Sequence, residues 1–233
     1  MILLCLVIGV IGFAGFNVFG KTKLHKVLMV LFAGLFIISG TLVVLNDRNE
    51  FGMNKVAEQK QLHLVSSVDQ ESLPVLLYQP LGDGSEKIYL YQTNDSKELQ
   101  KTGTDQVTNK VVTKGQEATL TQKTQYWVYE NGFYNLLFGI SGNDHKYASQ
   151  TNTFTLPKTW QVLSTAEAKA LAAYLQEHQQ ELTKQAATYV QDKLENLLNQ
   201  SPNLSDKEQQ TAKQTFANEY QQHMIKEVLA TLK

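Results

Sequence analysis

The chain has 233 residues, enough for one or two domains, and a formal net charge of −1. The first 46 residues contain three charged side chains, whereas the rest carries 18 basic and 22 acidic ones, so its composition gives no electrostatic reason to expect a nucleic-acid partner. A single cysteine, Cys5, excludes a disulfide within one chain.

Two long apolar segments open the chain, at about residues 1–20 and 27–46. Twenty helical residues span about 30 Å, the thickness of the hydrocarbon core of a bilayer. A helix that is apolar on every side belongs in lipid or in a large protein core, which 46 residues do not provide. Residues 1–46 are therefore predicted to form a transmembrane hairpin in the lipid bilayer. A cleaved signal peptide fits less well, because no basic region precedes the first apolar segment.

The sequence GFNVFGKT, Gly15–Thr22, matches the phosphate-binding pattern G-x-x-x-x-G-K-[ST]. A working P-loop follows a buried strand and opens a helix, so that backbone N–H groups converge on phosphate. Here the motif follows a membrane-length apolar segment, and Asp47, which imitates the second nucleotide-binding motif, would lie across the bilayer from Lys21. We interpret the match as false, and we expect no bound nucleotide and no other cofactor.

The turn between the two apolar segments concentrates positive charge in Lys21, Lys23 and Lys26. Basic residues after the second segment are diluted among acidic ones. Because cytoplasmic loops of membrane proteins carry the excess of Lys and Arg, the turn is predicted to be cytoplasmic and both termini outside. The prediction is a multi-pass protein of the cell membrane with an extracytoplasmic C-terminal part.

Small residues mark one face of the first apolar segment, at Cys5, Gly9 and Gly12. A second helix could approach this face closely, with Ala33 and Gly40 forming the facing groove. Glycine is also simply common in membrane helices, so the sequence leaves both interpretations open.

Polar residues 47–60 are interpreted as a connector, and residues 61–163 are predicted to form a β domain. Seven runs there are rich in β-branched and aromatic residues and are separated by turn signals. The runs are QLHLVSSV, LPVLLYQPL, EKIYLYQT, TNKVVTK, ATLTQKTQYWVYE, FYNLLFGI and KYASQTNTFTL. They predict an antiparallel β-sheet or a small sandwich.

Helical spacing replaces alternation over residues 164–233. Ser164 with Glu167, and Ser205 with Glu208, have the spacing of capping boxes that begin two helices. The first helix is predicted to run to about residue 199, so the pair forms a long αα-hairpin that projects from the β domain or pairs with another copy. The predicted fold class is α+β.

Six stretches after the first apolar segment form a recognisable set: NDRNEFGMNKV, LLYQPLG, KIYLYQT, QYWVY, FGISGNDH and QTNTFTLPKTWQVLSTAEAKAL. They resemble an uncharacterised family of two-span membrane proteins of lactic acid bacteria and related Gram-positive bacteria, described as a domain of unknown function. The resemblance covers nearly the whole chain and is strongest at TNTFTLPKTWQVLS. It implies a Gram-positive cell membrane and an exported C-terminal domain, and it brings no catalytic residues.

One polar loop, SGNDHKYAS, holds residue types used in nucleophilic catalysis, namely Ser141, Asp144, His145 and Ser149. Adjacent Asp144 and His145 are too close in sequence for the usual triad, and ordinary turn chemistry explains SGND. No catalytic residue is therefore predicted. Aromatic residues near this loop are expected to be core more than binding surface: Tyr126, Trp127, Tyr129, Phe133, Tyr134 and Phe138.

The two C-terminal helices offer weak candidates for metal ligands in His178, Glu181, His223 and Glu227. Carboxylate and imidazole groups on facing helices are how helical bundles bind metals. These residues flank the apolar stripe, where a solvated face is the better explanation, so no metal is predicted.

The leading functional prediction is a membrane-anchored envelope protein with an extracytoplasmic interaction or scaffold domain. Its partner would be a second copy or another envelope protein. Two alternatives stay open: a cell-envelope enzyme acting on wall or lipid material, and an accessory subunit of a membrane complex.

Overall fold

The computed structural model describes residues 1–68 and 74–231. The helices are α1 (Ile2–Phe19), α2 (Lys23–Asn49), α3 (Gly132–Phe138), α4 (Thr165–Glu177), α5 (Gln179–Gln200) and α6 (Asp206–Thr231). The strands are β1 (Met53–Val65), β2 (Val75–Leu81), β3 (Glu86–Thr93), β4 (Ser96–Lys101), β5 (Val107–Val112), β6 (Thr119–Tyr129), β7 (Lys146–Thr155) and β8 (Gln161–Ser164). This order confirms the predicted α+β class, with two apolar helices, a sheet and C-terminal helices.

The described strands form one curled sheet in the order β5-β7-β6-β1-β3-β2-β8, and β4 pairs with β3. The pairs β1–β3, β2–β3 and β3–β4 are antiparallel, but β2 and β8 run parallel. The sheet is therefore mixed, where the sequence suggests an antiparallel one. Strand β8 has only four residues and no hairpin turn to β2, so no local signal shows its direction.

The segment FYNLLFGI is a helix and not the predicted strand. Asn131 is the N-cap of α3, and its side-chain oxygen accepts hydrogen bonds from the N–H groups of Phe133 (3.0 Å) and Tyr134 (3.2 Å). Helix α3 ends at Phe138 and is followed by a 3-10 turn at Gly139–Ser141. The capping asparagine overrides the β propensity of the aromatic residues that follow it.

Residues 47–60, predicted to be a connector, contain the end of α2 and the first part of β1. Helix α2 continues to Asn49, and strand β1 begins at Met53 after a turn in which Glu50 (φ 52°) and Gly52 (φ 80°) are left-handed. Most of β1 is exposed on both faces, so its sequence lacks the apolar alternation that identifies a half-buried strand.

The described chain divides into two compact units. Unit 1 consists of Met1–Gln61, Thr104–Thr108 and Thr121–Asn152, and unit 2 consists of Leu62–Gly103, Asn109–Leu120 and Thr153–Lys233. Unit 1 contains α1, α2 and α3, and unit 2 contains α4, α5 and α6.

Strand β2 is buried on both faces within unit 2. Leu76 points to one side, into a cluster with Tyr89 and Phe154. Its neighbour Val75 points to the other side, into a cluster where α4 and α6 contribute Ile225 and other apolar residues. Because successive side chains of a strand alternate, the run VLL serves two cores, and the second of these fixes α4 and the end of α6 against the sheet.

The C-terminal helices begin where the sequence predicts. Ser164 and Glu167 form the predicted capping box of α4, and Ser205 contacts Glu208 at the start of α6. The predicted first helix is divided into α4 and α5 at His178, whose backbone (φ −101°, ψ 11°) leaves the helical region. Leu232, assigned from its spacing to the stripe of the last helix, lies outside the described residues.

Candidate functional site

Helices α5 and α6, with the end of α4, line an open groove of about 700 Å³ in unit 2. Its lining is mixed, with apolar side chains between glutamine and threonine side chains. The lining residues are Ala172, Leu175, Gln176, Gln179, Leu182, Thr183, Ala186, Ala217, Tyr220, Gln221, Met224 and Ile225. A volume of this size is in the range of sites that bind a ligand or a partner side chain.

The groove exists because two helices alone cannot cover their own apolar stripes. The stripe of α5 runs through Leu182, Ala186, Val190, Leu194 and Leu197, all of which are only half-buried. Helix α5 has no fully buried residue along its described length. An amphipathic helix usually buries a stripe at least about 100° wide, so a second surface is needed to complete the burial here.

The two hydroxyl groups in the groove, those of Thr183 and Tyr220, are already paired within the chain. The hydroxyl of Tyr220 donates to Oε1 of Gln185 at 2.9 Å, which joins α6 to α5. Burial, followed by the nearby carboxylates of Glu227 and Glu181, raises the pKa of Tyr220. The phenol is therefore neutral at pH 7 and acts as a hydrogen-bond donor.

The weak metal-ligand candidates are distributed along the same helices. Nδ1 of His223 lies 3.6 Å from Oε1 of Glu227, and both side chains are exposed. Nδ1 of His178 lies 3.0 Å from the carbonyl oxygen of Tyr174, and the imidazole ring of His178 stacks on the phenol ring of Tyr174. Glu181 accepts a hydrogen bond from Gln185 on its own helix. Across residues 1–68 and 74–231, no three His, Cys, Asp or Glu side chains converge as a metal site.

The SGND loop in unit 1 is organised by turn geometry. Asp144 accepts a hydrogen bond from the N–H of Tyr129 at 3.4 Å, and its carboxylate lies 3.9 Å from Nδ1 of His145. The hydroxyl of Ser149 donates to Gln125 at 2.9 Å. Gly142 and His145 both have positive φ, which is typical of a tight turn.

The nearby aromatic residues do not all lie in the core. Phe138 is fully buried, as predicted, whereas Phe133 is 66 % exposed. Sequence reasoning missed this difference because it treated the segment as a strand. Helical spacing would have separated the two residues, which are five positions apart.

The P-loop match runs from the last turn of α1 to the first residue before α2. The segment before it is helix α1, whereas a phosphate-binding loop has to follow a strand. Thr22 is the N-cap of α2, and its hydroxyl accepts from the backbone N–H of His25 and lies 2.7 Å from its imidazole. The hydroxyl that would bind magnesium in a P-loop therefore serves here as a helix cap.

Helices α1 and α2 pack against each other through glycine. A Cβ atom on Gly9 would lie 2.9 Å from the backbone nitrogen of Phe36, and one on Gly12 would lie 2.4 Å from the ring of Phe32. The small face of α1 is therefore a contact within the chain. Of the two interpretations left open for the glycines, a facing groove at Gly40 is not supported, because a Cβ there would meet no described atom within 4 Å.

Both helices are long and apolar enough to cross a membrane. Only 11 % of the apolar window in α1 and 6 % of that in α2 is buried within the structure. A core helix of a soluble protein would be mostly buried, so this exposure favours membrane association.

Residues 21–171 match the family described as Domain of unknown function (DUF4811), and the match covers more than half of the chain. Comparison with curated proteins and with solved structures finds no significant match. The matched region begins at the turn before α2 and ends within α4, so α5 and α6 lie beyond it. The predicted membership of a family of unknown function is confirmed, while the bacterial source and the two-span character stay predictions. The chain belongs to the DUF4811 family.

Proposed function

We propose that this chain is a membrane-anchored envelope protein whose extracytoplasmic part is an interaction or scaffold module without catalytic activity. The observation that carries the proposal is the open groove between α5 and α6. The apolar stripes that line it are half-buried. The helices that carry these stripes are attached to a sheet that already has its own core. A further helix, from a second copy or from another envelope protein, would complete their burial.

The lining of the groove supports binding over catalysis. Among its residues one side chain is titratable, Tyr220, and burial raises its pKa. An enzyme that acts on wall or lipid material needs convergent acids, bases or nucleophiles. The leucine, methionine and isoleucine side chains of the lining instead suit the apolar face of an amphipathic helix.

The proposed anchor is the α1–α2 hairpin, with its turn in the cytoplasm. The support is the exposed apolar surface of both helices together with Lys21, Lys23 and Lys26 in the turn. The proposed location is a Gram-positive cell membrane, as the family resemblance implies, with the sheet and C-terminal helices outside.

Cysteine labelling tests this topology in a Cys5→Ser background. Asp95 is exposed in the turn between β3 and β4, and Thr22 is exposed in the turn between the helices. Asp95→Cys should react with a membrane-impermeant thiol reagent on whole cells, and Thr22→Cys should react only after permeabilisation. The reverse pattern would place the domain in the cytoplasm and refute the envelope proposal.

Photocrosslinking from intact cells tests the interaction proposal. A benzophenone side chain replaces Gln179, which lines the groove, or its neighbour Gln180, which is exposed and outside it. The Gln179 variant should give a discrete adduct, identified by mass spectrometry as a second copy or another envelope protein. Equal adducts from the two positions, or none from either, would show that the groove is not the binding surface.

A second candidate function, an accessory subunit of a membrane complex, is favoured by open space beside two glycines of α2. At Gly34 and Gly40 a Cβ would meet nothing within 4 Å among the described residues. Glycines with open space beside them let another membrane helix approach closely. In this case the spans, and not the groove, would hold the partner.

A further inference from the structure

We infer that α3 and the 3-10 turn after it, Gly132–Ser141, form a second membrane contact that lies in the lipid interface beside the α1–α2 hairpin. This inference rests on the proposed membrane anchor, and it adds a lipid-binding site on an element outside the two spans. The bound surface is lipid, and the inserted side chains are Phe133, Leu136 and Ile140.

The position of α3 follows from its contacts within unit 1. The amino nitrogen of Met1 donates to the carbonyl oxygens of Leu136 (3.0 Å) and Leu137 (3.2 Å), so α3 lies at the start of α1. The ring of Phe51, two residues after α2, packs edge-on against Tyr134 with a centroid distance of 5.7 Å. Helix α3 is thus fixed at the end of the hairpin where α1 begins and α2 ends.

That end of the hairpin coincides with a bilayer surface if α1 and α2 cross the membrane. Helix α1 has 18 residues, about 27 Å of helix, which is close to the thickness of the hydrocarbon core. Its first residues therefore lie near the boundary between acyl chains and headgroups. An element hydrogen-bonded to Met1 lies at the same depth.

One face of this segment is occupied by the protein. Phe138 is fully buried, and Tyr134 stacks on it with a ring-centroid distance of 6.3 Å. Gly52 brings the chain close to the same ring, since a Cβ there would lie 2.4 Å from Tyr134. These contacts hold the segment in a single orientation.

The other face is apolar and exposed. Phe133, Leu136 and Ile140 are between 65 % and 67 % exposed, and their spacing of three and four residues places them on one side. Residues 132–141 contain no charged side chain. Three large apolar side chains on so short a segment resemble the insertion face of an interfacial helix, which enters about 5–10 Å into the headgroup boundary.

Lipid fits this face better than a protein partner because the apolar surface is continuous with that of the span. Met1 contacts the segment directly and is 53 % exposed, and Leu4, one turn further along α1, is 55 % exposed. The apolar side chains of α1 and α3 therefore meet at Met1, whose amino group is paired with the carbonyl oxygens of Leu136 and Leu137. A protein-binding patch would be expected to have a polar rim.

Site-specific fluorescence on the full chain tests the inference. The Cys5→Ser protein, carrying Leu136→Cys or Ile140→Cys labelled with an environment-sensitive dye, is reconstituted in vesicles of equal parts phosphatidylcholine and phosphatidylglycerol. Lys123→Cys, exposed six residues before the end of β6 and about 20 Å along the strand, is the matched water-exposed control. Val7→Cys, exposed on α1, is the control for membrane insertion of the span.

A lipid-attached spin label near the headgroups should quench the dyes at Leu136 and Ile140 at least about twice as strongly as the dye at Lys123, and aqueous iodide should show the opposite order. If the Val7 dye is quenched by lipid but the Leu136 and Ile140 dyes are not, this inference is overturned while the membrane anchor stands. If the Val7 dye is accessible to iodide and not to lipid, the anchor itself fails. Protection of the α3 dyes from both quenchers would show that a second copy covers the face, and would also overturn the lipid assignment.

Discussion

Gly52 is the residue on which the connection between α2 and β1 depends. Its φ of 80° is left-handed, and a Cβ atom would also collide with the ring of Tyr134 at 2.4 Å. Gly84 has a similar φ of 87°, but a Cβ there would meet nothing within 4 Å. The two glycines therefore share a backbone requirement and differ in their surroundings.

Gly52→Ala is expected to lower the stability of the full chain more than Gly84→Ala. Both substitutions incur the left-handed strain of about 1–2 kcal/mol. Only Gly52→Ala adds the overpacking against Tyr134, typically about 1–3 kcal/mol more. Thermal unfolding in detergent, followed by circular dichroism, measures both. Equal losses would mean that the Tyr134 ring moves aside freely.

Glu208 gives a pH dependence at the start of α6. The Ser205 hydroxyl, followed by the Ser205 backbone N–H, lowers the pKa of Glu208 below its ordinary value. Because the folded pKa is the lower one, this carboxylate stabilises the folded state above its unfolded pKa, about 4.3, and the contribution is lost as the pH falls through the folded pKa. Helical signal should therefore decrease on acidification below about pH 4.

The matched variants are Glu208→Gln and Glu219→Gln. Glu219 is exposed in the middle of the same helix. Glu208→Gln should reduce the acid-induced loss of helical signal, because an amide cannot titrate, whereas Glu219→Gln should leave it nearly unchanged. A wild-type acid response in Glu208→Gln would show that the cap makes no contribution to it.

At the scale of whole elements, α4 and α5 differ in how firmly they are packed. Leu171 of α4 is 2 % exposed in the core on β2, whereas Leu194 of α5 is half-buried beside the groove. Leu171→Ala should cost about 2–5 kcal/mol, as expected for a packed core site. Leu194→Ala should cost clearly less in the detergent-solubilised monomer. Chemical denaturation of the two variants gives the comparison, and a cost at Leu194 as large as that at Leu171 would mean that the stripe is already covered.

The predictable elements were those that carry a local signal in their own sequence. The capping pairs that begin at Ser164 and Ser205 located two helix starts, because each satisfies backbone N–H groups within one turn. Residues 130–132, Glu-Asn-Gly, are one of the turn signals between the predicted strands, but Asn131 caps a helix, as an asparagine at such a position equally can.

The missed features depend on contacts that are distant in sequence. Residues 53–60 of β1 were missed because most of them are exposed, so only the pairing of the strand identifies them. The parallel direction of β8 depends on its pairing with β2. The exposed face of α3 depends on the packing of Tyr134 against Phe51, which is distant in sequence. The groove was missed because the sequence shows that α5 has a stripe and does not show how fully α6 covers it.

At the scale of the whole molecule, the two surfaces proposed to bind another protein belong to different units. The α2 glycines Gly34 and Gly40 are in unit 1, and the α5–α6 groove is in unit 2. Each surface should therefore respond to its own substitutions. Copurification from mild detergent, combined with crosslinking at Gln179, can measure the two separately.

Gly40→Leu and Gly9→Leu are the matched variants for the span surface. Gly9 packs on Phe36, so Gly9→Leu should disrupt the hairpin and lower its thermal stability, whereas Gly40 faces open space and Gly40→Leu should not. If the span binds another membrane protein, Gly40→Leu should remove that protein from the copurified material and leave crosslinking at Gln179 intact. Unchanged copurification would favour the groove as the site of association.

The short junction between α2 and β1 would couple the first strand to the tilt of the proposed membrane span. If α2 crosses the membrane as proposed, its apolar residues 27–46 span about 30 Å, which matches a typical hydrocarbon core, so a thinner bilayer would tilt the helix. Only residues 50–52 separate α2 from β1, two of them are left-handed, and Gly52 is held against Tyr134. No slack segment is present in this junction to absorb a change of tilt. A thinner membrane would therefore incline the first residues of β1 together with the proposed span.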